Sequence, residues 1–185
     1  MKVITGNYKN KRIISSLKKS QHHIRPTKSR VKKAVFDIIA NHFIKENMRI
    51  SDLIFLDLCC GTGSIGIEAI SRGFKKIYFI DQSYESLNIL KYNLNNLGLN
   101  ILNFSILRAN IDYIPIKLDS HFDVIYLDPP YEYKIQTKLL KHIYDLIKQN
   151  SILIIESSKK VGACHLYKYV YFKKYGNTTI SVFQK

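Results

Sequence analysis

The sequence predicts an α/β fold: a mostly parallel seven-stranded sheet with helices on both faces, an antiparallel terminal strand and a small basic hairpin at the N-terminus. Three observations point to it. From residue 54 onward, apolar runs of strand length alternate with segments of helical period, the pattern of parallel strands joined by crossover helices. The first of these runs, Phe55-Leu56-Asp57-Leu58, passes directly through a Gly-rich turn into a helix at Ser64-Ile65-Gly66. The chain closes on two strand-like segments joined by Tyr175-Gly176-Asn177-Thr178, a Gly/Asn turn that makes the last pair antiparallel.

The elements follow in order. Val3-Ile4-Thr5 and Arg12-Ile13-Ile14 flank Gly6-Asn7-Tyr8 as a short hairpin, and residues 1–24 form a basic extension ahead of a single domain at 25–185. Arg25-Pro26-Thr27 is the boundary, with Thr27 the expected N-cap of a helix of about 20 residues. In that helix Val31, Ala34, Val35, Ile38, Ile39, His42 and Phe43 share one face, and Lys28, Arg30, Lys32 and Lys33 the other. Strands are expected at 54–58, 76–80, 101–109, 122–127, 151–155, 163–173 and 178–184, with helices at 63–72, 83–97 and 134–149. Gly98 ends the second of those helices.

A chain of 185 residues buries roughly 70% of its unfolded surface as one domain. It has no apolar run of membrane-spanning length and no signal-peptide pattern after Met1. Its three cysteines include no C-x-x-C, so Cys59, Cys60 and Cys164 are expected as small reduced residues of a cytoplasmic protein. His22-His23 has no partner cluster, and no metal site is expected. The net charge is +15, and residues 1–50 carry 13 Lys/Arg against Asp37 and Glu46, or 13 − 2 = +11. A basic face of this size attracts polyanions. A membrane surface fits less well, because no apolar amphipathic stripe accompanies the charge.

Two motifs carry chemistry. Asp128-Pro129-Pro130-Tyr131 follows the apolar run Phe122-Asp123-Val124-Ile125-Tyr126-Leu127. The prolines fix φ and remove two donors, so a rigid corner offers the Asp128 carboxylate and Pro129 carbonyl beside an aromatic face. Two acceptors beside a stacking surface suit a planar group bearing an NH2, such as a nucleobase. As a bare motif, however, it is equally a Pro-rich turn. The second motif, Asp57-Leu58-Cys59-Cys60-Gly61-Thr62-Gly63-Ser64-Ile65-Gly66, satisfies G-x-G-x-x-G. Gly61 and Gly63 permit the tight turn, Gly66 permits close helix–strand packing, and the helix N-terminus faces a ligand. The next strand, Lys76-Ile77-Tyr78-Phe79-Ile80, ends in Asp81, whose carboxylate can hold both hydroxyls of a ribose, cap the following helix, or serve both roles.

These residues, with Gly6-Asn7-Tyr8-Lys9-Asn10-Lys11-Arg12, Arg25-Pro26-Thr27-Lys28-Ser29-Arg30-Val31-Lys32 and Tyr175-Gly176-Asn177-Thr178, resemble the RsmD family of 16S rRNA guanine-N2 methyltransferases. That family lies within the Rossmann-like class I S-adenosylmethionine (AdoMet)-dependent methyltransferases. The resemblance covers nearly the whole chain. It implies AdoMet as cofactor, with Asp57, Cys59, Gly61 and Gly63 at its methionine end, Asp81 at the ribose, and Asn110 at the adenine edge. Thr27 and Arg30 would close over the site. Asn110 stands where the family often has an acid, and Asp112 is the alternative for the adenine. The catalytic set would be Asp128, Pro129, Pro130 and Tyr131, with Tyr131 stacking on guanine. Lys9, Lys11, Arg12, Arg25, Lys32 and Lys33 are the candidates for phosphate contact. The implied partner is 16S rRNA in the 30S subunit, met by a monomer without DNA or membrane.

Other readings keep some weight. A DNA amino-methyltransferase uses a similar corner but needs a target-recognition domain for which the chain has no room. A protein-glutamine methyltransferase leaves the basic N-terminal half unexplained, and an NAD-dependent oxidoreductase leaves the Asp-Pro-Pro-Tyr corner idle. An RNA-binding module without catalysis would leave both motifs unused.

Overall fold

The computed structural model describes residues 1–16, 29–99, 101–114, 121–130, 132–162 and 164–185. Seven strands form one sheet in the order β3-β2-β1-β4-β5-β7-β6. They are β1 (Ile54–Leu58), β2 (Lys76–Asp81), β3 (Phe104–Arg108), β4 (Phe122–Leu127), β5 (Ile147–Ser157), β6 (Lys168–Tyr175) and β7 (Thr178–Gln184). β1 to β5 pair in parallel, and β7 runs antiparallel between β5 and β6. The antiparallel strand is therefore inserted, and β6 is the edge. Helix α1 (Ser29–Lys45) precedes β1, and the crossover helices are α2 (Ser64–Ser71), α3 (Tyr84–Asn96) and α4 (Thr137–Leu146).

Strand alternation divides the core in two. Phe55, Ile77, Phe79, Val124, Tyr126, Ile152 and Ile154 point to the face covered by α1, α2 and α3. Leu56, Leu58, Ile80, Ile125, Leu127, Leu153 and Ile155 point to the face covered by α4. β4 is buried along its whole length, as expected of a central parallel strand. Among the described residues no helix is long and apolar enough to cross a membrane.

Several boundaries differ from the sequence expectation. α4 ends at Leu146, and β5 starts at Ile147 rather than 151. Ile147 pairs with Phe122 ahead of a register shift, and the Lys148 ammonium bonds the buried Asp123 carboxylate at 2.8 Å, so tertiary partners convert a helical pattern into strand. The third strand is Phe104–Arg108, its expected first residues forming a 3-10 turn at Ile101–Asn103. The sixth strand is displaced to Lys168–Tyr175.

The N-terminal hairpin forms one isolated Lys2–Arg12 bridge rather than paired strands, its arms also joined by the Val3 amide on the Lys11 carbonyl at 3.0 Å and the Ile13 amide on the Met1 carbonyl at 2.9 Å. Val3 and Ile13 are nonetheless fully buried in the same core as α1 and α2. The reason lies in Glu68 on α2, itself fully buried. Its carboxylate accepts the Ile4 amide at 2.8 Å and the Thr5 amide at 3.0 Å. Gly6 turns at φ +86 where a Cβ would collide with the Ser71 carbonyl at 1.7 Å, so only glycine lets the hairpin lie on α2. The domain boundary expected at 24/25 and the cap at Thr27 fall outside the described residues.

Candidate active site

The strand order reverses between β1 and β4, and ligand crevices of open α/β sheets lie beyond the carboxyl ends of strands at such a point. A cavity of about 700 Å³ occupies that position. Its walls come from the ends of five elements. They are Leu58–Thr62 after β1, Asp81–Ser83 after β2, Ala109–Asp112 after β3, Asp128–Pro130 after β4, and Glu156 on β5.

The Gly-rich turn is shaped as its sequence requires. Cys59, Gly61 and Gly63 all adopt positive φ (58, 52 and 82). A Cβ at Gly63 would meet Leu90 of α3 at 2.2 Å, and one at Gly66 would meet the Phe79 ring at 2.1 Å. Gly66 thus permits the helix–strand contact expected of it. Asp81 buttresses the turn: its carboxylate accepts the Gly61 amide and the Ser83 amide, both at 2.8 Å. The cap of α3 is Ser83, whose hydroxyl accepts the Ser86 amide, so Asp81 faces the cavity and does not cap the helix.

Of the expected cofactor residues, Cys59, Gly61, Asp81 and Asn110 line the cavity. Asn110 accepts the Asp112 amide at 2.9 Å and donates to the Gln82 side chain at 3.1 Å, which links the ends of β2 and β3. Asp112, the alternative for the adenine edge, lines the cavity too, and its carboxylate accepts the Tyr133 hydroxyl. Gly63 and Asp57 lie behind the wall. Asp57 is only 2% exposed, and its carboxylate accepts the Gly66 amide at 2.8 Å, so it ties α2 to β1 and does not reach the cavity. Arg30 is exposed and outside the lining, and Thr27 is outside the described residues.

Burial raises the Asp57 carboxyl to about 7, against the Gly66 hydrogen bond and with a smaller contribution from the Asp81 charge. The folded state therefore keeps a proton on Asp57 that the unfolded chain releases near pH 4. Between those values the unfolded chain binds fewer protons, and Asp57 costs stability as pH rises. Compared with Asp57→Asn, the wild type should lose thermal stability progressively from pH 4 to 7 and hold a constant deficit above 7. A pH series of melting temperatures for both proteins checks this.

Asp128 is half-buried at the corner, its amide bonded to the Leu58 carbonyl at 3.3 Å, and Pro129 is buried beside it. The Pro130 carbonyl accepts the Tyr133 amide at 2.9 Å and rigidifies the corner from the far side. Tyr131 lies outside the described residues. Sequence reasoning missed Glu156, which is 4% exposed, lines the cavity and accepts the Tyr126 hydroxyl. Its signal was available: like Asp81 and Asp128, it is an acid closing an apolar run, Ile152-Leu153-Ile154-Ile155. The lining thus holds five carboxylates, Asp81, Asp112, Asp128, Glu132 and Glu156, and among the described residues no Lys or Arg; it also includes Met1, whose ammonium donates to the Ile13 carbonyl at 2.8 Å. Burial, reinforced by the Asp81 and Asp128 charges, pushes the Cys59 thiol far up, so Cys59 is no nucleophile.

The candidate phosphate contacts divide. Lys9, Lys11, Arg12 and Lys33 are exposed, and Arg25 is outside the described residues. Lys32 must be removed from the set. It is 1% exposed, its ammonium 3.5 Å from Glu68 and hydrogen-bonded to the Lys2 carbonyl (3.0 Å) and the Ser64 hydroxyl (3.3 Å). The hairpin folds over the helix face that carries it.

The family described as Conserved hypothetical protein 95 matches residues 1–184. The chain belongs to this family, the RsmD family. Among curated relatives of this RsmD-family chain, "Ribosomal RNA small subunit methyltransferase D" of Buchnera aphidicola subsp. Baizongia pistaciae is 32% identical over 169 residues, 88% of this chain and 78% of that protein. The Haemophilus influenzae protein of the same name is 28% identical over 140 residues, 74% and 69% of the two chains. A solved structure of a hypothetical protein from Thermus thermophilus superposes with a TM-score of 0.80 at 19% identity, covering 100% of this chain and 99% of that one. An S-adenosylmethionine-dependent methyltransferase from Clostridium acetobutylicum gives 0.56 at 23% identity, covering 69% and 50%. Both share the Rossmann-like class I fold of this RsmD-family member.

Proposed function

We propose that the protein transfers a methyl group from AdoMet to the exocyclic N2 amino group of a guanine in small-subunit rRNA, acting on the assembled 30S particle. The observation that carries the reading is the acidic cavity, with the Asp128-Pro129 corner in its wall, inside a chain of net charge +15. A sulfonium and an ammonium against one carboxylate make AdoMet a cation, which suits a lining of carboxylates without Lys or Arg among the described residues. The two phosphates of NAD would meet those carboxylates at close range, which disfavours the oxidoreductase reading despite G-x-G-x-x-G. Asp81 would take the ribose hydroxyls, Asn110 or Asp112 the adenine edge, and the turn at Cys59–Gly61 the methionine end. When bound, AdoMet supplies an electrophilic methyl group for in-line displacement.

The chain's own task is to hold the amine. A guanine amino group is a poor nucleophile because its lone pair is delocalised into the ring. Asp128 and the Pro129 carbonyl would each accept one amino hydrogen, favour a pyramidal nitrogen and stabilise its developing positive charge. Asp128 need not be a strong base, since the proton leaves after transfer. Tyr131 would stack on the base, which must stand out of its own stack, as bases in RNA loops readily do. Lys9, Lys11, Arg12 and Lys33 would hold phosphates, along with Arg25. Relatives' names support the rRNA substrate, and the +11 charge of residues 1–50 supports a polyanion.

The test is methyl transfer from labelled AdoMet to 30S particles lacking the modification, with naked 16S rRNA and DNA in parallel and the product identified by nucleoside chromatography. Label in N2-methylguanosine is expected. Label confined to DNA would transfer the protein to the DNA amino-methyltransferases, and RNA binding without label would make it a binding module.

A further inference from the structure

The six lysines of the last 29 residues have no acidic counterpart: between Ser157 and Lys185 there is no Asp or Glu. Lys159, Lys160, Lys173 and Lys174 are exposed, and none of these four belongs to an ion pair among the described residues. Topology decides where they lie. Ser157 at the carboxyl end of β5 pairs with Thr179, and Tyr175 pairs with Thr178, so the β6–β7 turn stands at the same end of the sheet as the cavity. Lys159 and Lys160 follow β5 at that end, and Lys173 and Lys174 precede the turn.

β6 lies three strand spacings from β4, roughly 14 Å, so this rim is within one RNA-helix width of the Asp128 corner. The N-terminus of α1 reaches the same end, since Lys32 bonds Ser64 at the cavity wall while His42, ten residues on, bonds the Asn150 carbonyl at the start of β5. That places exposed Arg30 and Lys33 on the same rim.

We infer that the β6–β7 turn and the segment after β5 form a second RNA-binding surface, with Lys159, Lys160, Lys173 and Lys174 contacting phosphates while the target base occupies the cavity. This rests on the RNA substrate proposed above. It extends the footprint from the N-terminal segment across the mouth of the cavity, so that RNA is held on both sides of the reacting base. Two separated contacts fix the orientation of a duplex where one patch leaves it free to rotate. It also gives Tyr175-Gly176-Asn177-Thr178 a purpose, because Gly176 at φ +63 allows the tight reversal that sets Lys173 and Lys174, on opposite faces of the edge strand, at the rim. Lysines on an edge strand also block strand addition. That role alone predicts aggregation on their removal and no change in RNA affinity.

The test compares K159Q/K173Q/K174Q with K45Q/K75Q/K168Q. The second set removes the same charge from the opposite end, where Lys45 closes α1, Lys75 precedes β2 and Lys168 begins β6. Binding to labelled 30S particles lacking the modification, with naked 16S rRNA in parallel, is measured across a salt series, and the thermal shift with AdoMet reports folding in every variant. The first set should lower the log–log salt slope by about 2–3 and weaken binding on the order of tenfold or more at physiological salt, with the second near wild type. Equal losses in both sets, or none in the first, would overturn the second surface while leaving the RNA substrate intact. If wild type itself binds AdoMet but neither 30S particles nor naked 16S rRNA, the substrate reading fails along with it. Should the triple variant melt early, Lys174→Glu alone is read the same way.

Discussion

Replacing Asp128 with alanine is expected to lower methyl transfer by at least about 10²-fold while AdoMet binding stays within a few-fold of wild type. Asp128 stands at the end of a fully buried strand, beside a buried proline, with its amide held by Leu58. The carboxylate is therefore presented on rigid backbone, which is what an acceptor acting on a developing cation requires. The loss should fall on kcat, because the bond to the amine strengthens as positive charge grows on nitrogen. Asp128→Asn keeps one acceptor oxygen without its charge and should recover part of the rate. Single-turnover transfer to 30S particles, paired with calorimetric titration of AdoMet, separates chemistry from binding. Normal turnover in Asp128→Ala would remove the residue from the mechanism and reduce the corner to a turn.

Glu68→Ala should destabilise the fold by about 3–5 kcal/mol, the range for breaking a buried ion pair from one side. Glu68 is fully buried and joins three elements: the hairpin through the Ile4 and Thr5 amides, α1 through Lys32, and Arg72 at 3.0 Å. Its removal leaves the Lys32 ammonium, whose pKa burial already lowers, without its only carboxylate among the described residues. In a chain of this length the midpoint of thermal unfolding should drop on the order of 10 °C. Glu68→Gln keeps an oxygen for the backbone amides and should lose less. Denaturant unfolding of both variants checks the order. A Glu68→Ala protein as stable as wild type would show that Val3, Ile13 and the hydrogen bonds to Ser71 and Asn93 hold the hairpin without Glu68.

Much of this molecule was legible because its signals are local. Apolar runs and their spacing marked all seven strands, and β4 was placed to the residue at Phe122–Leu127. Glycines marked the turn before α2, since positive φ and close approach are demands that one residue type meets. Strand ends marked Asp81 and Asp128, because a parallel sheet gathers the carboxyl ends of its strands at one crevice.

What the chain could not disclose locally concerns which neighbour reaches which side chain. Helical period assigned Lys32 to the basic face of α1, yet a hairpin some thirty residues earlier and a glutamate 36 residues later (68 − 32) enclose it. Asp57 opened the Gly-rich motif as a ligand candidate, and the packing of α2 on β1 turned it inward to the Gly66 amide. Glu156 looked like the end of an ordinary strand until the sheet order set β5 beside β4. The sequence by itself determined the order and type of the elements, the turn geometry and the acids Asp81 and Asp128 at strand tips, because period, glycine and proline act within a few residues of themselves. Only the tertiary structure decided which charges face the cavity, which face solvent and which are spent inside. Burial is a property of contacts between distant segments, and the cost of burying a charge depends on the partner that arrives with it.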